Sequence, residues 1–112
     1  MSRFTFESEV RGGIALVRLS GELDLLATSD LEPELERLTE EAGIDVIALD
    51  LRELEFMDSS GLRLVVLTER ALRADGRRLV LVRGSQPVQR VFEITRMTDR
   101  LEFVDAPEHV HR

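Results

Sequence analysis

Six residues near the middle of the chain, Val46 to Leu51 (VIALDL), form a nearly continuous apolar run with turn signals close by. A strand with one wet face alternates apolar and polar residues. A run this unbroken fits a strand buried on both faces, as in a sheet whose parallel strands are covered by helices. Leu79 to Val82 is a second run of this kind, and Leu101 to Val104 makes a final short strand. Nearer the N-terminus, Arg3 to Val10 alternates through Phe4 and Phe6. Gly12 and Gly13 then supply a turn before a second apolar run from Ile14 to Leu19, which together read as a β-hairpin.

Helical patterns separate the later strands. After Gly21-Glu22-Leu23-Asp24, the spacing of Leu31, Leu35 and Leu38 predicts a helix, with Thr28 to Asp30 as caps, Pro33 in the first turn and Gly43 as the stop. Leu62 to Ala74 carries helix formers throughout and ends at Asp75-Gly76. Ser85-Gln86-Pro87 opens a third helix, with Val88, Val91, Phe92 and Thr95 at helical spacing. The order β-β-α-β-α-β-α-β gives an α/β fold: a mixed sheet with an N-terminal hairpin and helices packed on it. A length of 112 residues suits one core, so residues 1–112 are expected to form a single domain with a flexible tail from about Asp105 to Arg112.

Composition narrows the functional classes. With no cysteine there is neither a disulfide framework nor a thiolate metal site, and the mixed charged and aromatic start MSRFTFESEV lacks the apolar core of a signal peptide. The expectation is a cytoplasmic protein without membrane insertion, and nothing demands more than a monomer. A net charge of −7 disfavours nucleic acid as a partner. Alternating Glu and Arg around Arg70, Arg73, Arg77 and Arg78 reads as a solvated helix face.

One segment carries chemistry. Asp58-Ser59-Ser60-Gly61-Leu62 lies where a strand region becomes a helix, at the carboxyl end of a strand, where sites of open α/β sheets tend to lie. A side chain there can simply cap the first backbone N–H groups. The same free N–H groups and positive dipole end also favour an added negative charge. A phosphoryl group brings about −1.5 to −2 charge at pH 7. Beside Asp58 and in front of Asp24, it would weaken binding to an acidic or apolar surface.

The segments GELD (Gly21 to Asp24), LDLRELEFMDSSGL (Leu49 to Leu62), GRRLVL (Gly76 to Leu81) and PVQRVFEIT (Pro87 to Thr95) resemble, in order and spacing, those of bacterial anti-sigma factor antagonists of the STAS family. The resemblance covers almost the whole chain, and MDSSGL after an apolar strand is its specific part. It implies a partner-switching cycle: the unphosphorylated protein binds an anti-sigma factor that is also a serine kinase of the GHKL type, freeing a sigma factor. Phosphorylation releases it until a serine phosphatase restores it. By position in the motif the acceptor corresponds to Ser59. The resemblance makes the protein a substrate and not an enzyme, with no cofactor of its own, since ATP, Mg²⁺ and the catalytic base come from the kinase. Around Ser59, it assigns Asp24, Asp58, Ser60, Gly61 and Leu62 to the partner-binding surface.

Several of these residues admit a plainer role. Asp58 can orient the Ser59 hydroxyl or only cap the helix; Asp24 can line the same surface or only close a turn. Gly61 permits close approach, of a partner or of a neighbouring strand. In the helix that follows, Leu62, Val65, Val66 and Leu72 lie on one side and Leu64, Leu67 and Ala71 on another, of which one stripe is core and part of the other a contact face or buried as well. One departure from the family is Thr95-Arg96-Met97, where many members have Ser-Gly or Thr-Gly, so a glycine cap of the third helix is unavailable. A non-switching STAS scaffold or sensor that acts by protein binding alone is the main alternative. A hydrolase is a weaker one: there is no G-x-S-x-G elbow, and the only histidines, His109 and His111, lie in the charged tail and lack the further ligands of a metal site.

Overall fold

A computed structural model describes residues 3–112. Strands β1 (Thr5–Arg11) and β2 (Ile14–Leu23) form the antiparallel hairpin. Its two turn residues, Gly12 and Gly13, have φ of 58° and 81°, the left-handed pair that matches the twist of the flanking strands. The remaining strands, β3 (Val46–Met57), β4 (Arg78–Val82) and β5 (Glu102–Val104), add in parallel, and the sheet order is β1-β2-β3-β4-β5. Each crossover therefore steps one strand in the same direction. With the usual right-handed connections, helices α1 (Leu25–Glu40), α2 (Ser59–Ala74) and α3 (Gln86–Ile94) all come to one face. The core agrees: Leu31, Leu35 and Leu38 of α1, Val65 and Leu72 of α2 and Val88 and Phe92 of α3 pack in one cluster with Val17, Leu19, Ile47, Leu49 and Leu81. The order never reverses, so there is no switch-point crevice. The carboxyl ends of the strands lie in a row instead.

Val46 to Leu51 are buried on both faces, as the unbroken apolar run implies. Ile47, Leu49 and Leu51 point to the helices, while Val46 and Ala48 join Val80 and Val82 on the helix-free face. β3 continues well past the run, through Arg52 to Met57. In that half Leu54 and Met57 are buried and Arg52, Glu53, Glu55 and Phe56 exposed, so the apolar pattern stops where double cover stops, not where the strand does. Asp50, 3% exposed, follows Val46 and Ala48 on the helix-free side. Its carboxylate accepts from Arg52 Nε at 3.0 Å, Arg52 Nη2 at 2.9 Å and the Arg52 backbone N–H at 3.1 Å, a forked ion pair that compensates its burial.

The tail corrects an expectation. Asp105 to Arg112 is not a loose end but folds back over the helix-free face, with a 3₁₀ turn at Pro107–His109. Val110 is 8% exposed and packs in the cluster of Val46, Ala48, Val80 and Val82. Arg112 pairs with Asp45 at 2.6 Å, Arg83 with Asp105 at 2.8 Å, and Arg78 Nη1 donates to the His111 carbonyl at 2.8 Å. One apolar residue among charged ones gives no periodic signal, yet it supplies the missing cover.

The first helix also starts earlier than its leucine spacing suggests. Asp24 is the N-cap, so Thr28 to Asp30 lie inside α1 and Pro33 sits well within it rather than in the first turn. Pro33 removes the hydrogen bond to the Ser29 carbonyl. Both residues face solvent, so water can satisfy that carbonyl and the helix continues. At the other end of the chain, the absence of a glycine after α3 does not prevent a tight C-terminal cap. Arg96 takes the left-handed conformation (φ 60°), its N–H donates to Glu93 O at 3.1 Å, and the Met97 N–H donates to Phe92 O at 2.8 Å. α2 ends in the same pattern on Gly76 (φ 72°), whose N–H donates to Arg73 O while Arg77 N–H donates to Leu72 O. The α3 version carries a steric cost that glycine avoids. Arg96→Gly is therefore expected to stabilise the protein by about 0.5–1 kcal/mol, the relief of strain offset in part by the freer unfolded chain. A higher urea midpoint would show it; an unchanged or lower midpoint would mean that the Arg96 side chain contributes more than its backbone costs.

Candidate functional site

Two aspartates begin two neighbouring helices in the same way. In the parallel pairing of β2 with β3, Leu23 stands opposite Met57, and each is followed by an aspartate. Asp24 caps α1 with φ −100° and ψ −171°; Asp58 caps α2 with φ −102° and ψ −172°. Asp24 Oδ1 accepts from the Ala27 N–H at 3.0 Å, and Asp58 Oδ1 accepts from Ser60 N–H at 2.9 Å and Gly61 N–H at 3.3 Å. The Asp58 N–H donates to Leu23 O at 3.3 Å, which ties the two junctions together. Sheet register thus places two carboxylates and two positive helix ends side by side. The plain capping role is real for both aspartates. It does not exclude a surface role, because both side chains remain half-exposed.

The motif residues divide by the direction they face. Ser59 is the first residue of α2 and is exposed; Ser60 is half-buried. Gly61 faces the interior: a β-carbon there would lie 2.7 Å from Met57 Cγ and 2.9 Å from Leu23 Cγ. The close approach it permits is that of the protein's own strands, so assigning Gly61 to a partner-facing surface is corrected. Leu62 is half-buried against the core. Farther along α2, Leu64, Val65, Thr68 and Leu72 are buried, whereas Leu67 and Ala71 are exposed. Leu64 therefore leaves the outer stripe for the core.

Sequence reading missed two apolar residues beside the site. Leu25 and Leu26, the first two residues of α1, are 65% and 79% exposed. They hold on α1 the positions that Ser59 and Ser60 hold on α2, and the repeated pattern of apolar residue, aspartate, helix start (Leu23-Asp24-Leu25, Met57-Asp58-Ser59) is the signal that would have found them. Phe56, at the carboxyl end of β3, is 45% exposed. From here a groove runs between α1 and α2. Its first part, about 190 Å³, is lined by Leu25, Ser29, Ser60 and Arg63, and it continues past Leu64 and Leu67 into a stretch of about 280 Å³. The arrangement offers an exposed hydroxyl on a positive helix end, two carboxylates close by and an apolar rim, but among the described residues no general base beside the serine other than its capping aspartate. That suits a hydroxyl acted on by another protein.

The STAS domain family matches residues 5–109. The anti-sigma-B factor antagonist of Staphylococcus epidermidis is 33% identical over 92 residues, spanning 82% of this chain and 84% of that protein. Among solved structures, the anti-sigma factor antagonist SpoIIAA in its unphosphorylated form superposes with a TM-score of 0.74 at 29% identity, over 95% of this chain and 91% of that one. The phosphorylated form of SpoIIAA, described as a Bacillus cell fate determinant, gives 0.73 at 27% identity over 95% of each chain. With its fold and nearly its full described length in agreement, this chain belongs to the STAS domain family of regulatory binding proteins.

Proposed function

We propose that this protein is an anti-sigma factor antagonist whose binding is switched by phosphorylation of Ser59. Unmodified, it binds an anti-sigma factor that is also a serine kinase, so that a sigma factor is released. Phosphorylated, it dissociates, and a serine phosphatase returns it to the binding state. The observation that carries this reading is the exposed Ser59 at the first position of α2, next to Asp58 and across the register from Asp24, in a chain similar to a SpoIIAA known in phosphorylated and unphosphorylated forms.

The physical consequence follows from the charges. A dianion on Ser59 adds to the two half-exposed carboxylates of the joined helix starts, and so turns a modestly acidic patch strongly acidic. It meets a positive helix end, and its site is exposed, so the fold has no reason to change. The exposed Leu25 and Leu26 supply desolvated contact to the partner only while that patch remains weakly charged.

Mixing the protein with the anti-sigma kinase encoded nearest to it, together with Mg-ATP, is expected to place phosphate on Ser59, with none on Ser59→Ala by mass spectrometry. No phosphate with any such kinase would favour a STAS scaffold that acts by binding alone. Ser59→Asp is expected to weaken binding to that kinase by about 100-fold while the melting temperature moves by no more than about 2 °C. Equal affinity of the two forms would contradict the electrostatic account. Leu26→Asp should weaken the same binding by about tenfold or more and leave stability within about 0.5 kcal/mol, because Leu26 touches little of the protein itself. Unchanged affinity would remove the α1 start from the interface.

A further inference from the structure

The basic residues of this chain are all arginine, and most have a carboxylate beside them. Arg37 pairs with Glu34 and Glu41, Arg52 with Asp50, Arg77 with Asp75, Arg78 with Glu102, Arg83 with Asp105 and Arg112 with Asp45. Arg18, Arg63, Arg90 and Arg96 have none within 4 Å among the described residues, nor do two arginines that the flank of α2 next to the α3–β5 loop brings together. There Arg70 and Arg73 of α2 and Arg100 of the loop surround a cleft of about 310 Å³. Its apolar wall is Val66, Met97 and Leu101, all half-buried. Glu69 is the acidic residue of the lining and lies 3.7 Å from Arg73. Among the described residues, Arg70 and Arg100 have no carboxylate within 4 Å.

Sequence alone puts Arg70 and Arg73 on a solvated helix face. The fold adds a third guanidinium from a different element and places an apolar wall between them. Part of that wall is held by the α3 cap: the Met97 N–H bonds to Phe92 O, which turns the chain so that Met97 packs on the core while it lines the cleft. Three exposed guanidiniums against one carboxylate make a local positive excess on a chain of net charge −7. Arginine forks are suited to carboxylates, and the apolar wall gives nothing to a small inorganic anion but much to an aliphatic side chain.

We propose that this cleft docks an acidic segment of a protein partner, with an aliphatic side chain against Val66, Met97 and Leu101 and flanking carboxylates on Arg70, Arg73 and Arg100. The cleft shares no lining residue with the groove between α1 and α2, so the proposal does not depend on Ser59 or its modification.

The test is a titration of the ¹⁵N-labelled full chain with the peptide acetyl-Glu-Asp-Leu-Leu-Glu-Asp-amide at about 50 mM salt, where exposed charges are little screened. Saturable shifts of the amides of Val66, Arg70, Arg73, Met97, Arg100 and Leu101 are expected. Affinity should fall by about tenfold or more in the double variant Arg70→Glu, Arg100→Glu, by about threefold or more when both leucines of the peptide become serine, and in about 0.5 M salt. The double variant's spectrum should remain that of the folded protein, and Arg18→Glu, an exposed charge on β2, should bind as the parent does. The proposal is overturned if no saturable shift occurs up to several millimolar peptide, if the shifts map elsewhere, or if Arg18→Glu loses as much as the double variant. Citrate binding to the same residues as tightly as the peptide would also overturn it, by making the cleft a site for small organic anions.

Discussion

The parallel pairing of β2 with β3 is the contact on which the site depends. It sets Leu23 opposite Met57, and because an aspartate follows each, two helices start side by side with matched cap geometry. A slip of one residue would reverse which side chains of β2 face the core and would separate the two caps. The register of the first half is held from both faces: Val17 and Leu19 pack under the helices with Ile47, Leu49 and Leu51, while Ile14 and Leu16 lie with Val46 and Ala48 on the other side, and two register shifts, between Arg18 and Ser20 and between Gly21 and Glu22, then bring Leu23 opposite Met57. Gly61 belongs to the same constraint. It lets α2 descend onto Leu23 and Met57, so the first turn of α2 is seated by the residues that set the register.

Given that seating, the chemistry of the site is one of position. Ser59 is outside, Gly61 inside, and Ser60 and Leu62 between, a division set by the helical turn that begins at Asp58. The apolar residues left exposed, Leu25, Leu26 and Phe56, come from the ends of the elements that meet there. The opposite face of the sheet is treated differently. It has no helix, and a single tail residue, Val110, closes it with help from ion pairs at Asp45 and Asp105.

Much of this was legible in the residues, for physical reasons that differ by element. VIALDL announced a doubly covered strand because six buried residues in succession leave little else, and the Gly12-Gly13 turn and the Asp75-Gly76 stop were visible because positive φ favours glycine so strongly. The start of α1 was not legible from its leucines, since Leu31, Leu35 and Leu38 mark where the helix is buried and not where it begins. Asp24 marked the beginning, but a capping aspartate and a turn aspartate look alike until its register with Asp58 is known. The second half of β3 was hidden because strand hydrogen bonds persist after one face becomes wet. At the helix starts, the motif singles out Ser59, Asp58 and Asp24 as candidates, whereas the inward direction of Gly61 and the exposure of Leu25 and Leu26 depend on how two strands align, which no local pattern states.

The central claim is that a phosphoryl group on Ser59 would act by charge at a preformed surface and not by refolding it. Backbone NMR of the protein with phosphoserine incorporated at position 59, compared with the unmodified chain, tests this without any partner. The account predicts shift changes confined to the two helix starts, from Asp24 to Thr28 and from Asp58 to Arg63, with the amides of β3, β4 and α3 unmoved. Changes spread through the sheet, or into α3, would contradict it.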